Sequence, residues 1–342
     1  MVNYESSIID AIGGYFELAE LEKGEFPLSD GILLNSGRNA LEYILRSIGK
    51  VNRVYIPFYT CEVVLEPIRK LCISWTCYHI TSALEIDEDL SPAEGEYIIA
   101  NNYFGIKDAY IQQLAERYGH HLIVDCAQAL FAKTIPGIKV FYSTRKYVGV
   151  ADGGVAYLGD DCRYPVTVKE ADCTNNHDSH LYLRKQFGAE AGYNEFKNNE
   201  IKLSNQPIRW MSDKTRDILE HIDYDSIQKK RNSNFAILHE SLNVFNHLTI
   251  SDWHSFSCPM LYPLFTQDAQ SLRQHLIAHK IYVAKYWPVM PFLLNQSLEW
   301  TLVEGIVPIP CDQRYGENEM NYIITNILTW YEKKNHHFRS DR

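Results

Sequence analysis

Asp125 ends the apolar run HLIVD, and Lys146 follows a second apolar run, IKVFYS, twenty-one positions later. A carboxylate and an amine at two neighbouring strand ends match the needs of pyridoxal phosphate. That cofactor requires an anion beside its pyridinium nitrogen and an amine to form a Schiff base with its aldehyde. The anion keeps the ring nitrogen protonated, so the ring can withdraw electrons from a carbanion. Gln128, three residues past the aspartate, can donate to the cofactor's phenolic oxygen. Ser143, three residues before the lysine, can bind phosphate while the amine reaches the aldehyde. The glycines of ADGG, just beyond, let the backbone turn sharply beneath a ligand. Each residue alone has an ordinary explanation: a surface lysine, a turn or helix-capping aspartate, an exposed glutamine. Their order and spacing favour the cofactor.

A phosphate also needs amides. The segment NSGRNAL (35–41) joins a strand to a helix start, where free backbone N–H groups and the helix dipole attract anions. Gly37 allows close approach, Ser36 adds a hydroxyl and Arg38 a charge. For the ring there are aromatics at two strand ends, Tyr59 in IPFYTCE and Phe104 in NNYFGI, although simple packing explains both equally well.

Strands and helices alternate through the region that must position these groups. Runs at 32–35, 54–57, 73–80, 97–102, 121–125, 138–143 and 154–158 read as strands, and 38–49, 61–71 and 106–119 as helices, with Pro67 at a kink or a short break. This alternation predicts an α/β fold with a mostly parallel sheet sandwiched by helices, and ligands bind such sheets at the carboxyl ends of the strands. Residues 160–205 are polar and read as loop. Helical patterns return at 212–222 and 224–244, followed by strands at 259–265 and 281–287 and helices at 269–279 and 317–334. The expected division is a large domain over 1–225, which includes a helix at 4–22, and a smaller C-terminal α/β domain over 226–342.

With 33 basic and 43 acidic residues the net charge is −10, and no basic block favours nucleic acid. The eight cysteines form no CxxC pair and no zinc-like cluster, so no metal is expected and the thiols read as reduced. The acidic N-terminus does not resemble a signal peptide and no apolar run is long enough to cross a bilayer, so a cytoplasmic protein is expected. His177 and His180 fall in the polar stretch and read as solvated.

The pieces in this order resemble the DegT/DnrJ/StrS family of pyridoxal-phosphate-dependent sugar aminotransferases, of fold type I. SGRNAL is similar to its phosphate loop, VYIPFYTCEVVLEPI to its strand–helix junction, NNYFGI to its His-Leu-Tyr-Gly, and DCAQAL to its Asp-x-Ala-Gln-Ala. DGG after the lysine, GYNEFKNNE (192–200), KKRNSNFAIL and IVPIPCDQRYGENEMNYI extend the likeness over roughly residues 31–335. The resemblance implies a Schiff base on Lys146, glutamate as amino donor and a keto-sugar carried by a nucleotide as acceptor. It also implies a homodimer in which Asn194 reaches the phosphate of the partner subunit's cofactor. Three positions depart from the pattern. Cys61 stands where a stacking aromatic is usual, Arg38 where a small hydroxyl residue is usual, and Phe141 takes the place of the phosphate-binding serine, with Ser143 as the nearest substitute. These departures leave room for another reaction on the same cofactor, dehydratase-like for instance, or for a binding protein built on an enzyme scaffold.

Overall fold

The computed structural model describes residues 11–171, 178–250, 253–287 and 295–340. Its strands are β1 (Ile12–Gly13), β2 (Ile32–Leu34), β3 (Arg53–Pro57), β4 (Ser74–Tyr78), β5 (Glu96–Asn101), β6 (Leu122–Cys126), β7 (Lys139–Ser143), β8 (Gly154–Tyr157), β9 (Tyr262–Phe265), β10 (Ile281–Tyr282) and β11 (Ile306–Ile309). Its helices are α1 (Gly37–Ile48), α2 (Leu65–Lys70), α3 (Asp108–Tyr118), α4 (Ser179–Phe187), α5 (Tyr193–Lys202), α6 (Asp213–Glu220), α7 (Tyr224–Leu242), α8 (Ala269–Ala278), α9 (Leu298–Gly305) and α10 (Glu317–Ser340). No helix among the described residues is long and apolar enough to cross a membrane.

Seven strands form one sheet in the order β2-β8-β7-β6-β5-β3-β4, and only β8 runs against the rest. The apolar runs YIIA, LIV and KVFY are buried on both faces, as a covered parallel sheet requires. Period-two alternation divides them. Ile98, Ala100, Leu122, Val124, Val140 and Tyr142 enter one core, while Tyr97, Ile99, Ile123 and Phe141 enter the other with the apolar stripe of α1. By the same parity Asn101, Asp125 and Ser143 follow Ile99, Ile123 and Phe141 onto the α1 side. The register places Asn101 opposite Asp125, Asp125 opposite Phe141, and Ser143 opposite Gly154.

A further core lies around the two-stranded sheet of β9 and β11, with Phe235 and Leu238 of α7, Leu272 and Leu276 of α8, and Ile323 and Ile327 of α10. The chain's beginning joins this core. Ile12 pairs with Ile281 and is 1% exposed.

That pairing corrects the helix expected over 4–22. Residues 4–10 lie outside the described residues, and 11–22 are not helical. Gly13 and Gly14 have φ of 82° and 71°, and a Cβ on Gly13 would lie 2.3 Å from the Tyr282 carbonyl oxygen, so this stretch is built to run against β10. The polar stretch read as loop contains α4 and α5. Helix α5 buries only Asn199, which leaves no apolar stripe to find in its sequence. Helix α9 has no counterpart in the sequence reading; it starts at Ser297, whose side chain accepts from the Trp300 amide. The expected strand at 281–287 is confined to Ile281–Tyr282. The helix expected over 61–71 is divided into a 3-10 turn, Glu62–Val64, and α2, and Pro67 sits in the first turn of α2, where its missing N–H would have had no helical partner.

Candidate functional site

Asp125 lies next to the end of β6 and is 9% exposed. Its Oδ1 accepts from the Ala127 amide at 2.8 Å. Burial pushes its carboxyl above the usual value, while Lys146 and the Ala127 N–H pull the other way. Lys146 closes the 3-10 turn Thr144–Lys146 that follows β7. Its side chain lines the same cleft as Asp125 and makes no hydrogen bond or ion pair with any described residue. The turn is rigid because Thr144 is fully buried, its carbonyl accepts from the Tyr147 and Val148 amides, and its hydroxyl donates to the Gly153 carbonyl.

Gln128 is 5% exposed, and its Oε1 accepts from the Phe104 amide at 3.0 Å. That bond fixes the orientation of the amide and leaves Nε2, which is buried, without a partner among the described residues. Phe104 reaches this geometry with φ of 57°. Asn101 is similar: its Nδ2 donates to Thr60 Oγ1 at 2.9 Å, and its buried Oδ1 has no partner. Buried polar atoms are normally paired, so orphans converging on one cleft indicate a ligand.

Ser36, Gly37 and Arg38 also line the cleft, at the start of α1. The Ser36 hydroxyl is already engaged, accepting from the Asn39 amide at 3.2 Å and donating to Asn39 Oδ1 at 2.7 Å. The amides of Gly37 and Arg38 take no protein partner among the described residues. Strand β8 passes directly beneath this turn. A Cβ on Gly154 would lie 2.2 Å from the Ser36 carbonyl carbon and 2.6 Å from the Gly37 nitrogen. The glycines of ADGG therefore serve chain-to-chain contact under the anion turn. Arg38 is directed sideways, 3.0 Å from Glu66 and 3.1 Å from the Ser204 hydroxyl.

Of the residues expected here, Asp125, Gln128, Lys146, Ser36, Gly37, Arg38 and Ser143 come together, and the Ser143 hydroxyl has no protein partner among the described residues. Cys61 and Phe141, two of the departures, also line the cleft. Tyr59 and Phe104 do not; both are buried below it, Tyr59 stacked on Tyr103 with centroids 5.6 Å apart. Besides Phe141, the aromatic residue that lines the cleft is Trp287, edge-on to Tyr59 at 4.8 Å. Nothing in its spacing from the sheet residues announced it. Thr60, Asn101, Arg145 and Glu200 were likewise not singled out from sequence. Asn194 is exposed on α5 and does not line its own chain's cleft. His180 is buried in α4 between Tyr15 and Phe196, away from the cleft, whereas solvent exposure had been expected; His177 lies outside the described residues.

No family model and no curated protein matches the chain. Solved structures do match over nearly its whole length. Spr1654 from Streptococcus pneumoniae, described as a sugar aminotransferase, superimposes in its apo form with a TM-score of 0.64 at 17% identity, covering 96% of this chain and 94% of that one. DesV of S. venezuelae gives 0.62 at 17%, covering 95% and 91%. A DegT DnrJ EryC1 StrS aminotransferase from Brucella abortus gives 0.58 at 16%, covering 87% and 85%. At these identities the likeness is one of architecture, and the chain has the fold of these aminotransferases.

Proposed function

We propose that the protein is a pyridoxal-phosphate-dependent aminotransferase that moves an amino group from glutamate to a keto-sugar carried by a nucleotide. The observation that carries this reading is one cleft holding an unpaired lysine amine, a buried carboxylate and an amide N–H without a partner. The residues fit the cofactor. Asp125 is a carboxylate whose burial is unfavourable until a cation such as a pyridinium nitrogen faces it. Gln128 Nε2 is a donor awaiting an acceptor such as the phenolic oxygen. The Gly37 and Arg38 amides and the Ser143 hydroxyl are placed to hold the phosphate. When bound, the cofactor supplies an aldehyde for the amine and a ring that withdraws electrons. Lys146 Nζ would be the amine that meets the aldehyde and moves the proton, Asp125 would hold a proton at the ring nitrogen, and Trp287 would add an apolar wall to the cleft.

The substrate side follows the neighbours of the same fold. Spr1654 has been solved in pyridoxal and pyridoxamine forms, and DesI in the presence of its TDP-sugar product. The same reading includes a homodimer with Asn194 reaching the partner subunit's cofactor, a cytoplasmic setting, and a division into a cofactor-binding part (1–225) and a smaller part (226–342). The decisive experiment is an absorbance spectrum of the full chain with pyridoxal phosphate, before and after glutamate. A visible band that shifts with glutamate supports the reading. A band that persists unchanged in Lys146→Ala overturns the lysine assignment, and failure of every amino donor to shift the band would favour another reaction type.

A further inference from the structure

The cleft contains a second charged pair. Arg145, next to the lysine, forms an ion pair through Nη2 with Glu200 in the last turn of α5. The Nε–H lies on the same edge of the guanidinium as that Nη2–H, and the two point in parallel, a fork suited to two oxygens of one oxyanion. Glu200 fills only half of it. Arg145 Nε is buried and has no partner among the described residues. The two members also differ in freedom, since the side chain of Arg145 is 15% exposed and that of Glu200 is 41% exposed. The arginine is the more buried of the two, and the glutamate the more open to solvent.

The electrostatics agree. Burial opposes ionisation of Glu200, yet Arg145, Arg38 and Lys146 hold its carboxyl below the usual range. Arg38 acts on Glu200 from within its own ion pair with Glu66 at 3.0 Å, whereas Lys146 has no ion pair among the described residues and Arg145 has only Glu200. Nor is the pair needed to attach α5. Asn199 Nδ2 donates to the Ala151 carbonyl at 3.1 Å, and Arg38 reaches Ser204 just past the helix.

We propose that the Nε/Nη2 edge of Arg145 is a binding site for the oxyanion of a small-molecule ligand, a phosphate or a carboxylate, and that Glu200 is the internal anion such a ligand displaces. The proposal rests on the functional reading only in that the ligand enters this cleft.

The test uses the full chain and two conservative variants, Glu200→Gln, which keeps the shape but removes the charge, and Arg145→Lys, which keeps the charge but removes the fork. Inorganic phosphate and succinate are titrated against melting temperature, and pyridoxal phosphate and pyridoxal against absorbance. Removing one competing charge should tighten an oxyanion by about tenfold in Glu200→Gln, and losing the fork should weaken it by about tenfold in Arg145→Lys. If the cofactor's phosphate is the oxyanion, inorganic phosphate and pyridoxal phosphate shift while pyridoxal does not. If a substrate carboxylate is the oxyanion, succinate shifts and the cofactor titrations stay put. If neither phosphate nor succinate binds more tightly to Glu200→Gln, the proposal is wrong. Should the wild type fail to bind pyridoxal phosphate, the functional reading fails, and the phosphate and succinate titrations still decide the oxyanion site. Should Arg145→Lys not fold, Glu200→Gln decides alone.

Discussion

Arg231 links the C-terminal core to the lysine, and its removal gives a quantitative test of how the site is held. The residue sits in α7 with no exposed surface. Its Nε donates to Gln313 Oε1 at 2.8 Å, and its Nη1 to the carbonyls of Pro259 and Met260 at 3.2 and 2.9 Å. The guanidinium carbon lies 4.4 Å from the centre of the Tyr147 ring, beside Lys146. Gln313 in turn donates to the Tyr147 carbonyl at 2.7 Å, and the Tyr147 hydroxyl donates to the Gln128 carbonyl at 2.7 Å. Arg231→Met keeps much of the volume and strands two buried carbonyls, each costing ~1–3 kcal/mol, besides the half-buried Gln313 Oε1. It also removes a desolvated cation–π contact of ~2 kcal/mol. Relief from burying a charge returns several kcal/mol of this. The expected net loss is therefore about 3 kcal/mol, a large part of the ~5–15 kcal/mol available to a domain. Urea unfolding followed by far-ultraviolet circular dichroism measures it. Tyr147→Phe should lose about 1 kcal/mol, and both variants should weaken pyridoxal phosphate, because Tyr147 ties the Lys146 turn to Gln128. A loss below about 1 kcal/mol for Arg231→Met, with cofactor affinity unchanged, would refute the coupling.

Gly154→Ala should lose at least ~2 kcal/mol and most cofactor affinity, since its Cβ would enter the Ser36 and Gly37 backbone; Gly119→Ala, where φ is 51° and nothing lies within 4 Å, should lose ~1–3 kcal/mol from backbone strain alone and leave binding intact. Asp125→Asn should make cofactor-free protein more stable at neutral pH, because burial raises the folded pKa of Asp125 above its unfolded value and ionising it is then unfavourable; the same variant should bind pyridoxal phosphate poorly in an absorbance titration. Acid should loosen the chain's first described turn. Burial works against ionisation of Glu17 and Asp312, but Arg314, joined by Arg184 at Glu17, depresses both folded pKa values. Their stability is complete above the unfolded values of 4.5 and 3.8 and is lost as pH falls through the lower folded ones, so hydrogen exchange at Gly13–Glu17 should quicken only below about pH 4.5.

The sheet was legible because buried parallel strands read as unbroken apolar runs, and the aspartate and lysine because each breaks such a run at its carboxyl end. The cleft's other walls were not legible, for a different reason. Trp287 arrives from the far end of the chain just past β10, and Glu200 from a helix whose one buried residue is the polar Asn199. No periodicity marks either, since tertiary placement alone makes them neighbours of Lys146. The amphipathic look of the N-terminus misled for a third reason. Ile12 is buried by pairing with Ile281, and two left-handed glycines follow it, so its apolar character belongs to a sheet edge of the C-terminal core.

The departures from the resembled family become intelligible as a redistribution of charge. Where a small hydroxyl is usual, Arg38 brings a cation, but Glu66 and Ser204 hold it to the side, so its charge adds little for an incoming anion. Where a serine is usual, Phe141 offers no donor, and the Ser36 hydroxyl is spent on capping α1. Besides Lys146 and Gln128, the donors open to an anion among the described residues include the Gly37 and Arg38 amides, the Ser143 hydroxyl and the half-filled fork of Arg145. A cleft that had only lost hydroxyls would not hold an arginine next to its lysine with a displaceable carboxylate on it. On the proposed reading, an anion in this strand-end cleft meets backbone amides, the Ser143 hydroxyl and a guanidinium whose charge Glu200 masks until a ligand arrives.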